Sequence, residues 1–114
     1  MSARRLSTGL LGSAPVFAAL GDEMRLRLVA RLCAGEPLSI TQLATGSGVT
    51  RQAITKHLHV LAGAGLVQGT REGREQHWQL QPRQLLEARR CLDLISRQWD
   101  DALERLKASL EGGS

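Results

Sequence analysis

Two cysteines in 114 residues, Cys33 and Cys91, are too few to form the disulfide framework of a secreted scaffold. No apolar run approaches the roughly 20 residues that a membrane span requires. The longest uncharged apolar stretches cover only residues 10–20 and 60–67. The N-terminus has neither the apolar stretch nor the small-residue cleavage site of a secretory signal. No internal repeat or low-complexity block interrupts the chain. These absences exclude a membrane span, a disulfide scaffold and a fibre, and they lead us to expect a cytoplasmic protein with reduced thiols. The length excludes a two-domain enzyme with a separate cofactor lobe.

What is present fits one small folded module, with 42% hydrophobic and 23% charged residues. Fifteen Lys and Arg against eleven Asp and Glu give a net charge of +4, a surplus that favours polyanions. The surplus sits in the middle of the chain. Residues 51–90 hold seven basic side chains (Arg51, Lys56, Arg71, Arg74, Arg83, Arg89, Arg90) against three acids (Glu72, Glu75, Glu87), while residues 91–114 run slightly acidic. Thirteen of the fifteen cations are arginine, whose planar fork matches phosphate oxygens and the guanine edge.

Start and stop signals divide the chain into five helices and one hairpin. Residues 1–12 mix Arg4, Arg5, Ser7, Thr8 and Gly9 without a period and read as a flexible arm; residues 112–114 read as a flexible tail. Pro15 suits the first turn of a short helix that ends near Gly21. Asp22 is an N-cap for a helix through Ala34, with Met24, Leu28 and Leu32 in one stripe. Ser39 and Gln42 form a capping box, with Leu38 and Leu43 stapling it. Gly46, Ser47 and Gly48 then break the pattern, and Thr50 caps a further helix over residues 50–64, with Val49 set to pack on Ile54. Two helices joined by a tight glycine-containing turn are a helix-turn-helix signal. From Leu66 the period drops to about 2, giving a hairpin over residues 66–80 around Glu72-Gly73. Val67, Trp78 and Leu80 point inward there, and Arg71 and Arg74 stand at the tip. Pro82 opens a long last helix to about Leu110.

At 100° per residue, Ala53, Ile54, His57, Leu58 and Leu61 share the core-facing arc of helix 50–64. Gln52, Thr55, Lys56 and His59 share the opposite face, with Thr50 and Arg51 at its N-terminal end. An amphipathic surface helix shows such a face whether or not it reads DNA. The helix-turn-helix order and the arginine-tipped hairpin beside it favour DNA. Arg51 suits guanine O6 and N7, Gln52 suits adenine N6 and N7, the Thr55 methyl suits thymine, and Lys56, Arg71 and Arg74 suit phosphate.

The chain resembles the ArsR/SmtB family of winged-helix repressors. The resemblance is carried by Val16-Phe17-Ala18-Ala19-Leu20-Gly21-Asp22, by Arg25-Leu26-Arg27-Leu28, and by Val49-Thr50-Arg51-Gln52-Ala53-Ile54-Thr55-Lys56-His57-Leu58-His59-Val60-Leu61. It continues through Ala64-Gly65-Leu66-Val67 to Glu72-Gly73-Arg74-Glu75, and covers about residues 14–110. It implies a mainly α fold, an α+β winged helix of five helices with a two-stranded β-hairpin wing between the fourth and fifth. We place the winged helix-turn-helix DNA-binding and dimerisation domain at residues 13–111. The resemblance further implies a homodimeric repressor, with first and last helices at the interface and the two recognition helices on an inverted-repeat operator. Phe17 belongs to that first helix. The sequence supports a dimer independently. Leu85, Ala88, Leu92, Ile95, Trp99, Ala102, Leu106 and Ser109 or Leu110 follow alternating spacings of 3 and 4 along the last helix, and Leu103 is expected at the same interface.

Family members that sense metals use a Cys-x-Cys motif on the first helix of the helix-turn-helix, or Asp and His ligands on the last helix. Residues 39–48 hold no Cys or His and residues 82–111 hold no His, so neither metal set is complete and no metal or cofactor is expected. His57 and His59 point about 200° apart and do not chelate together. Other members sense oxidants through one cysteine on the second helix and one on the last, where Cys33 and Cys91 lie. That leaves the pair as redox candidates against their alternative role as small buried hydrophobes. No nucleophile elbow or phosphate loop points to an enzyme. The competing reading is a winged helix that binds a protein or a small molecule without reading DNA sequence. The effector is not legible.

Overall fold

The computed structural model describes residues 3–112. Helix α1 (Ala3–Leu20) buries Ser13, Val16 and Ala19 on one face. It begins at Ala3, so residues 3–12 of the expected arm are helical, and Pro15 lies inside the helix and not at its start. Nucleating a helix is costly and lengthening one is cheap, so a packed turn extends through Gly9 and Gly12 despite their low propensity. The rest of the expected arm, Met1 and Ser2, and Gly113 and Ser114 of the expected tail lie outside the described residues.

Helix α2 (Glu23–Leu32) starts where the Asp22 carboxylate accepts the Arg25 backbone N–H at 3.0 Å. Leu28, Val29 and Leu32 face the core. The next element is a two-residue strand, β1 (Leu38–Ser39). Helix α3 (Ile40–Ala44) follows from the capping box: Gln42 N–H donates to Ser39 Oγ at 3.2 Å, and Ser39 N–H donates to Gln42 Oε1 at 2.8 Å. Ser39→Ala removes the acceptor for the Gln42 N–H. We expect a loss of about 1 kcal/mol, read as a lower urea midpoint at unchanged slope.

The turn after α3 is built by Ser47, whose hydroxyl donates to Ala44 O at 2.7 Å and accepts from Val49 N–H at 3.2 Å. Gly48 has φ +77°, a conformation that a side chain would strain. Thr50 then caps α4 (Arg51–Gly63), its Oγ1 accepting from Ala53 N–H at 3.1 Å. Ile54, Leu58 and Leu61 are fully buried, as their spacing requires. Val49, expected to pack on Ile54, is 37% exposed.

The wing consists of β2 (Val67–Glu72) and β3 (Glu75–Leu80). Its register pairs Glu72 with Glu75, so the two-residue loop is Gly73-Arg74, one position later than expected. Gly73 has φ +63° whereas Arg74, like every described non-glycine residue, has a negative φ, the pattern of a type II′ turn. β1 pairs antiparallel with β3, making a three-stranded sheet of order β1-β3-β2. The wing is the expected two-stranded hairpin; the correction is the additional strand β1 beside it, which gives the chain order α1-α2-β1-α3-α4-β2-β3-α5. The extra strand is too short to carry a period-2 signal.

Helix α5 (Pro82–Gly112) packs its first turns against the body and then leaves it. Ala88 and Cys91 are buried, with Cys91 Sγ 3.2 Å from Ser13 Oγ of α1. Beyond Cys91 no described residue of the helix is buried. The radius of gyration is 19.0 Å and the long axis 70 Å, against about 13 Å expected for the radius of a rounded chain of this size. Among the described residues, no helix is long and apolar enough to cross a membrane.

Candidate nucleic-acid interface

Helix α4 is fixed by its buried face, and its other face is the candidate site. Arg51, Gln52, Thr55, Lys56 and His59 line one open depression, with Ile40 of α3 at its side. Thr55 Oγ1 donates to Arg51 O at 2.9 Å, which commits the hydroxyl to the helix. The oxygen of Thr50 is occupied by the cap, while its O–H proton is free to donate outward. Among the described residues, none of Arg51, Lys56, Arg71 and Arg74 has a carboxylate within ion-pair distance, so their charge is uncompensated. By contrast Arg27 is paired with Glu23 and Arg90 with Glu87.

Behind the helix lies a polar clamp. Arg25 donates through Nε to Ala19 O at 2.6 Å, and its Nη1 lies 3.5 Å from His57 Nδ1. The same ring nitrogen is 3.8 Å from Asp22. The Arg25 backbone N–H, more than any other group, holds the Asp22 carboxyl below its ordinary value. His57 is therefore a core-edge residue joining α1, α2 and α4.

His59 is exposed on the candidate face, and its ring centroid lies 6.1 Å from that of Trp78 on β3, tilted by 50°. This contact ties the recognition face to the wing, and helical spacing alone gives no sign of it. Arg71 is exposed on β2 and Arg74 on the turn. The register adds a residue that sequence reasoning missed: Gln76 pairs with Arg71.

The other expected site residues divide in two. Phe17 and Leu85 are partly buried against the protomer's own core. Leu92, Ile95, Trp99, Leu103, Leu106 and Leu110 form an exposed stripe, from 42% exposure at Ile95 to 76% at Leu110. Cys33 is exposed at the C-cap of α2, whereas Cys91 is buried beneath α1; neither is in a disulfide. Among the described residues no group of three or more His, Cys, Asp or Glu is arranged to hold a metal ion.

A short helix, a tight turn, a second helix with a polar outer face and an adjoining hairpin define a winged helix-turn-helix transcriptional regulator. Comparison with known proteins agrees. A helix-turn-helix domain family matches residues 20–70. The HTH-type transcriptional regulator Rv2034 of Mycobacterium tuberculosis is 40% identical over 85 residues, covering 75% of this chain and 76% of that one. The structure of an ArsR-like transcriptional regulator from Rhodococcus sp. RHA1 superposes with a TM-score of 0.71 at 38% identity, covering 86% of this chain and 92% of that chain. A homodimeric winged helix-turn-helix DNA-binding domain from Mycobacterium bovis superposes with a TM-score of 0.62 at 27% identity, covering 92% and 93%. The chain belongs to the ArsR family of transcriptional regulators.

Proposed function

We infer that this regulator is a homodimeric repressor that binds an inverted-repeat operator, with one α4 in each of two successive major grooves and the wings beside them. The observation that carries the reading is the uncompensated Arg51, Gln52, Thr55, Lys56 face, backed by a fully buried opposite side. Arg51 and Gln52 read base edges, and the Thr55 methyl, freed by the engaged hydroxyl, meets a thymine methyl. Lys56, Arg71 and Arg74 neutralise phosphates, with Thr50 donating to another. His59 completes the face beside the wing. A small dimer of this kind acts by occupying promoter DNA. The homodimeric M. bovis domain supports the assembly, and the exposed stripe on α5 supplies its surface.

The test is fluorescence anisotropy of the whole protein with the DNA upstream of its own coding sequence and with a scrambled duplex, at two salt concentrations. We expect tight binding to the first only. Three cations per protomer neutralising about six phosphates per dimer would give a slope of log K against log salt of roughly −5. Equal binding to both duplexes at every salt concentration overturns the reading. Arg51→Ala and Gln52→Ala should each relax discrimination by about 1–3 kcal/mol at one or two positions per half-site, measured with single-base operator variants. Arg74→Ala should weaken all duplexes alike.

A further inference from the structure

The wing has two chemically different faces, and its register assigns every residue to one of them. Directly paired residues of an antiparallel ladder share a face. Val67 with Leu80, Gly69 with Trp78 and Arg71 with Gln76 therefore form one face, and Gln68 with Gln79, Thr70 with His77 and Glu72 with Glu75 form the other. The first is the face that packs on α4, because Trp78 is buried and lies against His59. The second carries two carboxylates directly opposite each other, bridged by the His77 ring at 3.1 Å to Glu72 and 3.3 Å to Glu75. An anionic pair repels phosphate, so the hairpin approaches DNA by its Trp78 face. Beyond the buried Trp78, that face holds only Arg71 and Gln76 before the turn.

Gln76 is placed on that face by a gap. A methyl group at Gly69 would lie 2.4 Å from Gln76 Nε2 and 3.3 Å from the Trp78 ring, so the absence of a side chain there gives the amide its seat. The amide thus lies against the strand next to the tryptophan that contacts the recognition helix. Gln76 is two residues, about 7 Å of strand, nearer the turn than Trp78, which adjoins His59 of α4, so it lies to the side of the recognition helix along the wing.

We propose that Gln76 is a specificity-determining residue that selects A·T pairs at one position flanking each half-site. The proposal rests on the operator reading above and extends it to a residue on the wing. The carboxamide has two donors and an acceptor, and adenine is its preferred base in the major groove, where it donates to N7 and accepts from N6; in the minor groove it donates to adenine N3 or thymine O2, but its oxygen also accepts from guanine N2, so a strict A·T preference points to the major groove.

The experiment is selection from a random duplex library with the whole wild-type protein and with Gln76→Ala. Binding of the best duplexes and the thermal midpoint are then measured for both. We expect the wild type to enrich an inverted repeat with flanking A·T pairs. The variant should keep the inverted repeat and the midpoint, lose the flanking preference, and bind the flank-matched duplex roughly 5- to 150-fold more weakly. Substituting 7-deazaadenine or 3-deazaadenine at the flank assigns the contact: the first analogue weakens a major-groove contact, the second a minor-groove one. An identical motif and affinity for the variant overturns the role of Gln76 and leaves the operator reading standing. No enriched motif with the wild type overturns the operator reading itself, and the role of Gln76 with it.

Discussion

Trp99→Glu is expected to convert the protein into a monomer and to remove high-affinity operator binding. In the protomer Trp99 is 66% exposed, at the centre of the α5 stripe running from Leu92 to Leu110. A tryptophan side chain presents about 150–250 Å². Covering the exposed part at ~25 cal/mol per Å² stabilises the dimer by roughly 2–4 kcal/mol per protomer. Two copies act at a symmetric interface, and each glutamate would also be stripped of water against apolar neighbours. The dimer dissociation constant should rise by a factor of about a thousand or more, visible by sedimentation velocity at micromolar concentration. The folded protomer should survive, because no packing inside it uses this exposed ring; far-UV circular dichroism checks that point. Loss of the second half-site then removes the effective concentration that links the two contacts, worth about 10²- to 10⁴-fold in DNA affinity. A Trp99→Glu protein that still sediments as a dimer would show that the stripe is not the interface.

Much of this surface was legible without coordinates, for a definite reason. A helix writes its faces into sequence with a period of 3.6, so Ile54, Leu58 and Leu61 identify the buried side of α4, and Gln52, Lys56 and His59 identify its opposite. Caps are equally local: Asp22, Ser39 and Thr50 each accept the N–H that their position predicts. What sequence leaves out is non-local. β1 exists because Leu38 meets Trp78 and Ser39 meets His77, about forty residues away. Cross-strand partners on the wing depend on a turn at Gly73-Arg74: moving the two-residue loop back by one position leaves each residue on its face but shifts every partner by two, so that Arg71 would meet Arg74. Taking Glu72-Gly73 as the turn therefore hides the pairing of Arg71 with Gln76. Pro15 misleads in the same way, since a proline rule locates helix starts but does not register packing that carries α1 past it.

Leu58→Ala should produce a large loss of stability within the protomer. Leu58 is fully buried on the inner side of α4, in one cluster with Ile54, Leu61, Leu28 and Trp78. Truncation removes the transfer free energy of the lost methyl groups and leaves a cavity that rigid helices cannot close. The expected cost is about 2–5 kcal/mol, a large share of the 5–15 kcal/mol typical of whole domains. Thermal unfolding followed by circular dichroism should show a midpoint roughly 10–20 °C lower, with wild type and variant compared at equal protein concentration because dimerisation adds to apparent stability. Leu92→Ala is the informative partner: Leu92 is half exposed, so its truncation should change the protomer little and act through self-association. A Leu58→Ala loss below about 1 kcal/mol would mean that α4 is held mainly by the Asp22, Arg25 and His57 clamp. The larger loss would show that apolar burial holds the helix, and so fixes the direction in which Arg51, Gln52 and Thr55 face.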